Sequence, residues 1–189
     1  MLLDKKKVRT FTKVGAVFIA LIFILAYIPM ITGVLDPAGN TPAAQDQSQA
    51  DTAAQTAALE KAVEANPKDL GNLILLGNAY HGQQIHDKAI DVYTRALELD
   101  PKNVDVRIDR ATNYFYSGQV DTATAEGIKG VELDPKHANA RFNLGIFYSA
   151  QGKNKEAVES FKAYLKLEPK GEGADRAKAQ IEVLEKAVK

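Results

Sequence analysis

The stretch Leu97-Glu-Leu-Asp-Pro-Lys-Asn-Val-Asp-Val-Arg107 decides the fold, because the chain repeats it. Its Pro101 stops a helix. The same Pro-Lys pair stands at Pro67, Pro101, Pro135 and Pro169, each 34 residues after the last. Upstream the counterpart reads VEANPKDLGNL; downstream it reads VELDPKHANAR and then LKLEPKGEGAD. A period of this length marks an array in which each repeat is one supersecondary unit.

Three units follow from the beat, at residues 70–103, 104–137 and 138–171. In the first, Leu73, Leu76, Gly77 and Tyr80 recur at helical spacing, the HGQQ segment with Gly82 breaks the stripe, and Ala89, Ile90, Tyr93, Ala96 and Leu97 form a second stripe. Each unit is therefore expected to be two antiparallel helices joined by a tight turn. One such pair cannot bury both stripes, so successive pairs must stack. Residues 53–65 place Leu59 and Ala62 where a unit's second helix would have its core residues, a half-repeat. Residues 172–189 carry Ala174, Ala177, Ile181, Leu184 and Val188 on one stripe and charges elsewhere, a capping helix over the last apolar face.

Ahead of the array the composition changes. Residues 1–13 hold Lys5, Lys6, Lys7, Arg9 and Lys13 against the single acid Asp4. Residues 14–35, VGAVFIALIFILAYIPMITGVL, hold no charged side chain; as a helix they would be about 33 Å long, enough to span a bilayer core. A cleaved signal peptide is the alternative. Its apolar region would be shorter, and the best small-x-small site, Thr41–Ala43, lies well past the run. With basic residues before the span and none after it until Lys61, the expected orientation puts residues 1–13 in the cytoplasm and the array on the extracytoplasmic, periplasmic side of a cytoplasmic membrane. Residues 36–52, rich in Pro, Gly and small polar residues, are expected to be a flexible linker.

The unit pattern resembles the tetratricopeptide repeat (TPR) family over roughly residues 53–189. The family spacing reads Leu73, Leu76, Gly77, Tyr80, Ala89, Tyr93, Ala96, Pro101 in the first unit and Arg141, Leu144, Gly145, Tyr148, Ala157, Phe161, Tyr164, Pro169 in the third. With the span read at 14–35, the chain is expected to be all-α: a transmembrane helix and then, as the resemblance implies, a right-handed solenoid of half-repeat, three units and capping helix. The second unit departs, reading Arg107, Arg110, Ala111, Tyr114, Ala123, Gly127, Gly130, Pro135. Arg110 stands for a core Leu, and Gly127 and Gly130 stand for an aromatic residue and an Ala; each helical glycine costs about 1 kcal/mol against Ala. Either larger side chains compensate, among them Tyr114, Phe115, Tyr116 or the Arg110 stem, or Gly127 and Gly130 form a notch where a partner helix docks.

Catalytic chemistry is not expected. Lys+Arg and Asp+Glu balance at 24 each, which argues against bulk attraction to nucleic acid. There is no Cys for a disulfide, thiolate site or nucleophile. His81 and His86 are five apart with Gly82 between them, about 140° around a helix, so they are read as lying on different faces. Neither they nor His137 falls in a metal-binding motif, and no phosphate-cradling or nucleophile-elbow glycine motif occurs. No cofactor, metal or small-molecule substrate is expected.

Binding is implied instead. The family's groove positions carry over onto Ile74, Asn78 and His81; onto Asp105, Ile108, Thr112 and Phe115; and onto Asn139, Phe142, Ile146 and Ser149. These make an apolar track flanked by amides and hydroxyls, suited to an amphipathic helix or extended peptide. Where chaperone-binding members use Lys to clamp a C-terminal carboxylate, this chain has Ile74 and Ile108. If the track binds peptide, Phe142→Glu is expected to abolish capture without unfolding the chain. The expected function is a non-catalytic, membrane-anchored adaptor that binds a polypeptide segment or docks onto a membrane complex. The plan resembles bacterial anchored TPR proteins that hold apocytochrome during cytochrome c maturation or assist translocation; an integral subunit of a membrane assembly is the alternative.

Overall fold

Pro67, Pro101 and Pro135 each occupy the second position of a four-residue turn. In the computed structural model, which describes residues 42–187, the N–H groups of Asp69, Asn103 and His137 donate to the carbonyls of Asn66, Asp100 and Asp134 at 3.2, 3.3 and 3.1 Å. Proline presets φ for that position and has no N–H to leave unpaired. The last residue of each turn then caps the next helix. Asp69 Oδ1 accepts from the Asn72 N–H at 3.0 Å, Asn103 Oδ1 from Val106 at 3.1 Å, and His137 Nδ1 from Ala140 at 3.2 Å. The 34-residue beat is thus a stop, a turn and a start written in four residues.

The described residues form eight helices and no strand: α1 (Pro42–Ala65), α2 (Leu70–Gly82), α3 (His86–Leu99), α4 (Val104–Tyr116), α5 (Val120–Leu133), α6 (Ala138–Ala150), α7 (Asn154–Leu167) and α8 (Glu172–Ala187). The stack is an all-α solenoid in which consecutive helices from α2 to α8 pack on one another, and α4 also touches α6. Residues from Thr52 onward form one compact unit. The expected basic segment at 1–13 and membrane span at 14–35 lie outside the described residues. Among those described, no helix is long and apolar enough to cross a membrane.

One boundary differs from expectation. The linker read at 36–52 gives way to helix at Pro42, so α1 begins inside it. Alanine and glutamine from Ala43 onward are good helix formers, and proline at the first helical position sacrifices no hydrogen bond. Farther along, α1 docks on the first unit: Val63 is buried in the core cluster of Leu73, Leu76 and Tyr93, and Glu60 accepts a hydrogen bond from the Tyr80 hydroxyl. The Gln83 side-chain amide donates to Thr56 Oγ1 at 2.7 Å.

Inside the outer units, a glycine on the first helix seats an aromatic ring from the second. A Cβ at Gly77 would lie 2.5 Å from the Tyr93 ring, and one at Gly145 would lie 2.8 Å from that of Phe161. The middle unit exchanges the two, with Ala111 where the glycine would be and Gly127 where the ring would be. Phe147, reaching over from α6, fills the space, 3.2 Å from a Cβ at Gly127, with Leu144 at 3.3 Å; Ile108 does the same for Gly130 at 2.9 Å. Both glycines are buried among this chain's own side chains. Size compensation is therefore what the geometry supports, and the notch reading fails because its space is occupied. The compensating residues are Phe147, Leu144 and Ile108, not the tyrosines or the Arg110 stem.

The arginines of that unit are paired. Arg107, 3 % exposed, and Arg110 replace the positions of Leu73 and Leu76, and both reach Glu126 Oε2, at 2.9 and 2.6 Å. Arg107 also donates to the Pro101 carbonyl at 2.7 Å, and Arg110 to Thr94 Oγ1 at 3.0 Å. The middle core is thus partly ionic, with α4 tied to α5 and to the preceding turn and helix.

Candidate functional site

Each first helix turns one stripe into the core and leaves the neighbouring stripe facing the next unit's first helix. On α6 the inward stripe is Ala140, Leu144 and Phe147, all buried. Two residues on from each of these stand Phe142, Ile146 and Ser149, half-buried. These three, with Phe115 of α4 and Ala150, line a cavity of about 300 Å³ whose remaining wall is Arg176 and Gln180 of α8. Phe115 rests 5.4 Å from Phe147 between ring centroids, so the ring that fills the middle unit also supports the cavity wall. Beside it lies a second cavity of about 360 Å³, lined by Asn139, Phe142, Tyr164, Glu168 and Arg176 among others. Phe142 and Arg176 are common to both; the guanidinium carbon stands 5.3 Å over the Phe142 ring, a cation–π pair. Five of the groove residues read from sequence, Phe115, Asn139, Phe142, Ile146 and Ser149, therefore meet at one place.

Phe142 does more than line the site. Its ring makes edge contacts with Phe161 at 5.5 Å and Tyr164 at 5.1 Å, and it packs on the core cluster of the third unit. A Phe142→Glu substitution would remove those contacts along with any binding, so it does not separate the two roles. The expectation of unchanged folding is corrected accordingly.

The remaining groove residues are placed differently. Ile108, only 1 % exposed, is core against Gly130. Ile74 packs half-buried against the first-unit core. Asn78 is exposed, and its Oδ1 accepts from the Tyr93 hydroxyl at 2.6 Å. Thr112 donates to the Ile108 carbonyl at 2.8 Å. Asp105 accepts from His137 Nε2 at 3.0 Å; since Nδ1 of that ring already accepts from Ala140, the neutral ring carries its proton on Nε2.

His81 turns toward Asn113, a residue with 0 % exposure that the sequence reading overlooked. The Asn113 amide nitrogen donates to the Asp109 carbonyl at 2.8 Å, which fixes Oδ1 as acceptor. Nδ1 of His81 at 3.1 Å and Nδ1 of His86 at 2.9 Å both donate to it. Two histidines read as facing apart thus converge, because His86 begins the next helix rather than continuing the first. They line a separate cavity of about 420 Å³ with Gly82, Gln84 and Tyr116. Their proton-bearing nitrogens are spent on Asn113, and the cluster staples α4 to the two ends of the α2–α3 turn.

Burial shifts several groups. The Asp109 carboxyl is pushed above its usual range by burial, against the opposing charge of His81, with Asp105 adding to the rise and His137 opposing it. The Tyr80 hydroxyl is pushed up to about 12 by burial and by its hydrogen bond to Glu60. Among the described residues no three metal-ligating side chains come together.

Arg176 and Gln180 were not found in the sequence, where α8 was read only as a cap. Their signal was present: they stand four apart, beside the apolar stripe of Ala174, Ala177 and Ile181, and so face sideways toward the preceding first helix.

Known proteins give the same picture. A family profile described as tetratricopeptide repeat matches residues 73–103, and a second under the same description matches 128–159. The gap between them holds Arg110 and Gly127, two of the three departures of the middle unit. The crystal structure of the Sgt2 TPR domain from Aspergillus fumigatus is 30% identical, covering 64% of this chain and 79% of that one with a TM-score of 0.60. The first TPR of Spaghetti (RPAP3), bound to the HSP90 peptide SRMEEVD, is 28% identical over 63% of this chain and 92% of that one, with a TM-score of 0.59. The crystal structure of MamA is similar in fold, at 20% identity over 78% of this chain and 84% of that one, with a TM-score of 0.68. Among curated proteins no match was found.

Proposed function

The chain belongs to the tetratricopeptide-repeat family, and from that premise we propose that it is a non-catalytic adaptor whose α4–α6–α8 groove binds a polypeptide segment. The observation that carries this reading is the convergence of Phe115, Phe142, Ile146 and Ser149 with Arg176 and Gln180 around one open cavity. Apolar walls with a few polar groups at the rim suit a peptide side chain. A related domain, the first TPR of RPAP3, is bound to an HSP90 peptide, which supports a peptide partner here.

The proposal includes the membrane. Residues 14–35 anchor the chain in a cytoplasmic membrane, residues 1–13 stay on the cytoplasmic side, and the repeats work outside, where they hold a client or dock onto a membrane complex. The support is the uncharged run, and the basic cluster before it with none after until Lys61.

A photocrosslinking residue placed at Ser149 or Gln180 of the full-length chain in native membranes tests the groove. Both sites should give discrete protein adducts, while the exposed Glu159, which lines neither cavity, should give none. Equal labelling from all three would sink the groove reading. Mass spectrometry of the recovered chain tests the anchor: an intact Met1 supports it, and a mature start near residue 44 replaces it with a released binder.

A further inference from the structure

The two cavities beside α6 differ in charge. The second contains both Arg176 and Glu168, whereas in the first Arg176 is the only charged lining residue; the others are apolar or, like Ser149 and Gln180, neutral. Arg176 is exposed, and no carboxylate of the described residues lies within 4 Å of it. It stands over the Phe142 ring, the guanidinium carbon 5.3 Å from the centroid, a cation–π contact. That contact uses the charge of the guanidinium and not its forked N–H donors, whose geometry matches a carboxylate. The ring below holds the side chain in place, so less rotamer freedom is lost when an anion arrives.

We infer that the groove selects a peptide carrying an acidic side chain next to an apolar one, the apolar group in the Phe115–Ile146 cavity and the carboxylate on Arg176. This rests on the groove reading above. A basic residue at the same place would meet Arg176 with no acid in that cavity to offset it, so lysine is disfavoured. The specificity element thus comes from the capping helix and not from the repeats.

A random dodecapeptide phage library panned on the full-length chain in mild detergent tests this. Wild type should enrich an apolar residue adjacent to Asp or Glu. Arg176→Gln should keep the apolar enrichment and lose the acid, and Arg176→Glu should exchange it for Lys or Arg. A selected peptide should bind Arg176→Gln about fivefold more weakly than wild type, the size expected of one partly exposed ion pair, while its Asp→Asn version should bind both equally. Apolar enrichment without an acid, or an acid preference that survives Arg176→Gln, overturns the inference and leaves the groove standing. No enrichment over the bare support overturns both. Arg176 is exposed, so its variants should melt with wild type, which circular dichroism checks.

Discussion

At the scale of single residues the middle unit is held by charge where its neighbours use leucine. Arg107 and Arg110 share one carboxylate, Glu126, and removing it leaves two guanidiniums with little water and no counter-ion. Glu126→Gln should therefore cost about 3–5 kcal/mol in urea unfolding. The triple replacement Arg107→Leu, Arg110→Leu, Glu126→Val copies the residues of the first unit, Leu73, Leu76 and Val92, and should be neutral or stabilising by about 1–4 kcal/mol. Asp109 gives a pH-dependent case. Its folded-state pKa is raised, so the folded chain holds the proton more tightly than the unfolded one, and its contribution is most favourable in acid and is lost as pH rises through the folded value. Asp109→Asn should raise the urea midpoint at pH 7, and that gain should vanish below about pH 4, the ordinary carboxylate range.

At the scale of elements, the turns inside the units repeat as strictly as those between them. Gly118 and Gly152 take positive φ, +78° and +72°, at the second and third turns; the first turn has Gln84 at +60° in the equivalent place. A side chain there is strained, and Gln84→Gly should stabilise by about 0.5–1 kcal/mol, read from the denaturation midpoint. Such positions show what the sequence could say. The Pro-Lys beat and the apolar stripes were enough to read the helix pairs, and with them the stacking, since one pair cannot bury both stripes. What it could not give was the source of the ring that fills the Gly127 space, since Phe147 belongs to the next helix pair. The same holds for the site. Phe142, Ile146 and Ser149 share a helix stripe and were legible, whereas Arg176 and Gln180 arrive from an element whose docking depends on the whole stack. Ile108 was placed in the groove by register alone; a glycine opposite it pulled it into the core.

At the scale of the molecule, the repeat array is less modular than its period implies. The first and third units each complete their core with their own ring, Tyr93 or Phe161, but the middle unit borrows Phe147. Its core cluster of Ala111, Ala123 and Phe147 is therefore shared across two units. This has a mechanical meaning for a chain that would be pulled between an anchor and a bound client. Under load, the third unit cannot peel away without emptying the middle one, so the two should yield together. In single-molecule stretching, residues 104–171 should release as one step of roughly 230 Å of extended chain, and Phe147→Ala should divide it into two smaller steps at lower force. The borrowed ring would then act as a fuse setting the tension at which the groove, built on that same pair of units, lets its cargo go.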